Sequence, residues 1–183
     1  MDLREKNEQL SKIFLNLQDM IRFADSKANI SLSIQGLLLG VGLGVSLLSN
    51  SFEKLPIIMV SNLSLFYTYI ILLIGFISSS IIGIIIAVLV YKARGPKEET
   101  EKTRKGILYF GHIIAYENSE AYIKRVKEVQ EEELLKDYSS QIYQLSHIAD
   151  SKMRKVNRTT YFLFINIILT ALLLTLSGII IVI

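Results

Sequence analysis

The chain has 183 residues, about one domain's worth, and 51% of them are hydrophobic. A formal net charge of +3 is too small to point to a nucleic-acid polymer, and none is expected as a partner. There is no Cys, which excludes a disulfide framework and cysteine-based chemistry, and two histidines are too few for a His-rich zinc site. No metal or cofactor is expected, and the chain shows no Walker-type loop, nucleophile elbow or other catalytic motif, so it is not read as an enzyme.

Residues 1–29 read as a cytoplasmic amphipathic helix. Leu10, Phe14, Leu17, Ile21, Ala24 and Ala28 recur at alternating steps of four and three, a heptad seam with charge on the other faces. Five basic and five acidic residues cancel here, which argues for a solvated helix on a partner helix rather than one lying on a membrane surface. No apolar core with a small-residue cleavage site follows, so no signal peptide is expected. Residues 30–49 carry no charge over about twenty residues, enough to cross a hydrocarbon core of about 30 Å. Within this first span Gly36, Gly40 and Gly44 form a smooth stripe at spacing four, suited either to packing inside one subunit or to contact between subunits. Gln35, polar and inside the span, needs an interhelical partner.

Residues 50–62 are expected to be a short external loop, punctuated by Asn50, Ser51 and Asn62, with Pro56 suited to a first helical turn. Residues 63–91 are again uncharged and long enough to cross with tilt; Gly75, Ser79 and Gly83 make a second small-residue stripe. The third span is expected at 160–183, with Asn166 inside it. Bases crowd the exit of the second span (Lys92, Arg94, Lys97, Lys102, Arg104, Lys105) and the start of the third (Lys152, Arg154, Lys155, Arg158), against Lys54 alone in the 50–62 segment. The positive-inside rule therefore places the N-terminus and residues 92–159 in the cytoplasm. The expected architecture is an all-α membrane protein, three transmembrane helices with a cytoplasmic helical stalk or bundle, in contact with the lipid bilayer and assembled as a homo-oligomer.

Residues 92–159 form the candidate sensing region. A charged connector is broken at Gly95-Pro96. The word Gly-Ile-Leu-Tyr-Phe-Gly-His-Ile at 106–113 suggests a compact turn tucked against helices. Asn118 can cap the next helix, and from about Glu131 a helix can run unbroken to the end of the chain. Leu135, Tyr138, Ile142, Leu145, Ala149, Met153 and Val156 are its apolar stripe.

One internal echo stands out. Ala-Asp-Ser-Lys precedes the first span at 24–27 and the third at 149–152. Lys27 and Lys152 either mark the membrane interface by snorkelling or belong to a pocket. In the second reading Lys27, Lys152, Arg154 and Lys155 offer positive charge to a phosphate, and Asp25 and Asp150 orient those bases or accept hydrogen bonds from a ribose or base. Tyr109 and His112 would stack on a ligand or close over it, unless they are simply packed side chains.

Taken in order, FADSKANISLSIQGLLLG, the basic exit of the second span, GILYFGHI, and QIYQLSHIADSKMRKVNR before the last span resemble the transmembrane effectors of the bacterial Pycsar antiphage systems. The likeness covers nearly the whole chain. It implies an antiviral defence effector of the bacterial inner membrane, triggered by cyclic CMP or cyclic UMP, that impairs membrane integrity and aborts infection. It assigns no ligand residues. Two other readings fit the residues alone: a non-catalytic membrane scaffold docking a cytoplasmic protein, and a ligand-independent holin-like pore former.

Overall fold

The computed structural model describes residues 2–48, 51–92 and 106–182. Every regular element among them is an α-helix: α1 Leu3–Leu48, α2 Ser51–Ser61, α3 Leu63–Tyr91, α4 Phe110–Ile113, α5 Ser119–Glu128 and α6 Glu131–Val182. The all-α class is as expected. Helices α1, α3 and α6 are each long and apolar enough to cross a membrane. The Gly95-Pro96 connector, its bases Arg94, Lys97, Lys102, Arg104 and Lys105, and Asn50 lie outside the described residues.

The connection expected as a loop at 50–62 is instead helical over the eleven residues of α2. Pro56 stands inside this helix, beyond the first turn, and its missing N–H leaves one rung of the ladder without a donor. The compensation is burial: Leu55 and Ile58 enter the apolar cluster formed with Tyr69, Leu73, Phe76, Leu173 and Ile180. Asn62 then starts α3, its Oδ1 accepting from Leu65 N at 3.1 Å.

Burial along the long helices explains why they pack. On α1 the seam read from Leu10 to Ala28 does not stop at the first apolar run. It continues at steps of three and four through the buried Ser31, Gln35 and Gly42. The buried residues of α3 keep the same rhythm: Tyr69, Leu73, Phe76, Ser80, Gly83, Ala87 and Val90. So do those of α6 at Val156, Thr159, Asn166, Thr170, Leu173, Ser177 and Ile180. This 3–4 repeat is that of left-handed helix packing.

The chain divides into two compact units whose boundaries fall within α1 and α6. One holds the described residues of Met1–Ala24 and Ala93–Lys152, the other those of Asp25–Lys92 and Met153–Ile183. In the first, α1 meets α6: the rings of Phe14 and Tyr138 pack edge to face at 5.9 Å, and Asn7 Nδ2 donates to Glu131 O at 3.3 Å. Glu8 and Lys12 pair across one turn at 2.9 Å, and the hydrogen bond and charge of Lys12 hold the Glu8 carboxyl below its usual range. In the second unit α3 runs antiparallel to α1 and α6. Tyr91 Oη donates to Asn29 Oδ1 at 2.6 Å, Lys155 Nζ to Leu89 O at 3.0 Å, and Gln35 Nε2 to Thr159 O at 3.5 Å.

Candidate functional site

The most constrained part of the first unit is the Gly106–Ile113 word. Its first half is the compact turn expected and its second half the short helix α4, and the residue that fastens it is one the sequence did not single out. Asp137, buried on α6, accepts from two successive backbone amides, Ile107 N at 2.8 Å and Leu108 N at 3.1 Å. Tyr122 Oη on α5 donates to Ile107 O at 3.0 Å. The approach is close enough that a Cβ on Gly106 would lie 2.7 Å from both Asp137 Oδ1 and His112 Nδ1. A carboxylate inside the otherwise apolar stripe between Leu135 and Tyr138 was the available signal, because a buried acid must find donors.

Tyr109 and His112 are brought together, their rings edge to face at 5.2 Å. His112 Nδ1 is buried without a hydrogen-bond partner among the described residues. These two residues sit at the Asp137 level of α6. Lys152 is fifteen residues further along that helix, or about 22 Å at the α-helical rise. Tyr109 and His112 therefore do not join Lys152 and Asp150 in one pocket.

The two Ala-Asp-Ser-Lys words are alike in sequence and unlike in setting. Lys27 is exposed, whereas Lys152 is 7% exposed and occupies a seam position of α6. Asp25 is half-buried, with its backbone O accepting from Tyr91 Oη at 3.5 Å, while Asp150 is exposed. Arg154 is exposed. Lys155 is half-buried, and its bond to Leu89 O, which also accepts from Lys92 N at 3.3 Å, sets a cation at the C-terminal end of α3.

The glycine stripes also divide. A Cβ on Gly36, Gly40, Gly44 or Gly75 would meet nothing within 4 Å among the described residues. The close approaches are made at Gly42, where a Cβ would lie 2.6 Å from the Phe76 ring, and at Gly83, where it would strike Gln35. Ser79 is buried beside Ser80. Gly42 escaped the spacing-four pattern because that pattern drifts round the helix; extending the 3–4 seam from Ala28 reaches it.

Among the described residues no cluster of His, Cys, Asp and Glu could hold a metal ion. No curated protein and no solved structure matches the chain. Residues 9–179 match the family model of the Pycsar effector protein domain, from the start of the first seam almost to the end of the last span. With its all-helical build and three helices fit to cross a membrane, the chain belongs to the Pycsar effector family.

Proposed function

We propose that this antiphage effector is gated by a cyclic pyrimidine nucleotide, cyclic CMP or cyclic UMP, and that the gated event is loss of membrane integrity. The observation that carries the reading is family membership over residues 9–179 in a chain whose second unit holds the apolar spans. The nucleotide, being charged and water-soluble, would act on the polar residues between the second and third spans. The favoured contact for its phosphate on α6 is the exposed Arg154; Lys152 is buried on the opposite face and Lys155 is bonded to Leu89 O. Charge-assisted contacts are worth roughly 1.5–3 kcal/mol each, and a near-complete switch needs a preference of about 5.5 kcal/mol between states, so several contacts must act together. In this reading the N-terminus is cytoplasmic, the membrane is the bacterial inner membrane, and the open face of Gly36, Gly40 and Gly44 meets a second copy.

The test is direct binding of a cyclic-nucleotide panel to the purified chain, paired with inner-membrane depolarisation in cells. Cyclic CMP or cyclic UMP should bind and depolarise where purine cyclic nucleotides do not. Arg154→Ala should weaken binding by roughly tenfold or more, the loss of one such contact. Depolarisation on expression without any nucleotide would instead favour the holin-like reading.

A further inference from the structure

The membrane-fit unit has an unusual interior. Stepping by heptads gives its levels: Gln35, Gly83 and Thr159 lie together, and one heptad on, Gly42 meets Phe76, with Asn166 one heptad beyond Thr159. Between these levels α3 contributes Ser79 and Ser80. Gln35, Ser80 and Asn166 are fully buried. Yet Gln35 Oε1, the hydroxyls of Ser79 and Ser80, and both side-chain polar atoms of Asn166 have no hydrogen-bond partner among the described residues. From the Gly42–Phe76 level onward bulky side chains fill the interior: Tyr69, Leu73, Phe76 and Leu173 close into a cluster that takes in Leu55 and Ile58 of α2, although the hydroxyls of Tyr69 and Ser177 are buried there without a partner among the described residues. The unit is thus richest in unpartnered polar groups over about 10 Å at the Tyr91 end, and beyond it bulky apolar side chains close around the few that remain.

Polar groups without partners favour any arrangement that lets water reach them, and apolar constrictions exclude it until they part. These groups are covered by the chain's own helices, so a second copy docking outside cannot satisfy them. We propose that the stretch from Gln35 to Asn166 is a vestibule for water and small hydrated cations, closed at its far end by the Phe76–Tyr69–Leu173 plug. Membrane damage then proceeds through the interior of the three-helix unit when the plug parts. This rests on the membrane-damage reading, but its test does not require the nucleotide trigger.

The absence of Cys gives a clean background for single-cysteine variants of the full chain in lipid vesicles. Ser80→Cys faces the vestibule, and Ile85→Cys sits on the same helix at a position 52% exposed on the outer face. Only a thiolate reacts, and each unit rise in thiol pKa removes about tenfold of it, so a hydrated Ser80→Cys should react with a small charged methanethiosulfonate at least about tenfold faster than Ile85→Cys. The rates are measured with and without cyclic CMP and cyclic UMP. Leu173→Ser should make the vesicles leak cations with no nucleotide present, whereas Asn166→Leu should cut the leak and raise resistance to thermal unfolding. Ser80→Cys no faster than Ile85→Cys in every condition overturns the vestibule, even where Leu173→Ser fails to fold. Nucleotide-driven leak with a silent Ser80→Cys keeps the trigger and removes the vestibule; a reactive Ser80→Cys with no response to nucleotide keeps the vestibule and removes the trigger.

Discussion

Gly40 and Gly42 are two residues apart on one helix and should behave as opposites. At Gly42 a methyl would lie 2.6 Å from the edge of Phe76, which is itself fully buried, so Gly42→Ala overpacks the core and should cost about 1–3 kcal/mol. At Gly40 the same methyl meets nothing within 4 Å, and Ala gains up to about 1 kcal/mol of helix propensity over Gly. Thermal unfolding of the two variants, held monomeric in detergent, should therefore move in opposite directions, and a shared direction would contradict the packing described. Asp137 supports a second prediction. Asp137→Ala strips the acceptor from the amides of Ile107 and Leu108, at roughly 1–3 kcal/mol for a buried donor left unmade. Asp137→Asn keeps an acceptor oxygen and should lose less. Limited proteolysis at 106–113 would read the loosened turn directly.

At the scale of elements, what was legible in the sequence depended on how long each pattern ran. The seam from Leu10 to Ala28 and the unbroken run from Glu131 identified α1 and α6, because long periodic or breaker-free stretches leave little alternative to helix. The cap at Asn118 was readable from one residue type in one position. The helix α2 was not, since Asn, Ser and Pro signal a turn locally while the burial of Leu55 and Ile58 is decided by tertiary packing on α3 and on the distant α6. The candidate site was less legible still. Charge placement grouped Tyr109 and His112 with Lys152, but only the three-dimensional pairing of Asp137 with Ile107 shows at which level of α6 they stand. The contact between α1 and α6 can be weighed by a double-mutant cycle on Phe14 and Tyr138. An edge-to-face pair should give a coupling of roughly 0.5–1.5 kcal/mol, and additive single mutants would deny the contact.

For the whole molecule, the distribution of Lys and Arg makes a commitment about sidedness. Ser61, exposed at the end of α2, should lie outside the cytoplasm. A Ser61→Cys variant in intact cells should react with a membrane-impermeant thiol reagent, and His147→Cys, in the region placed inside, should react only after the cells are opened. Labelling of Ser61→Cys only from the cytoplasmic side would invert the topology. Membership of the Pycsar effector family makes the chain an antiphage defence effector.

The bond from Gln35 to Thr159 also has a consequence for how the protein is made. Its two ends are 124 residues apart, as are Asn7 and Glu131. At about 5–20 residues per second, a ribosome needs roughly 6–25 s to travel from one end to the other. Throughout that interval the first span sits in lipid with its glutamine amide short of its α6 partner, because that helix has not been synthesised. Insertion and assembly are therefore separate events in the life of the chain, and one broken off before residue 159 keeps its first two spans but never closes the three-helix core.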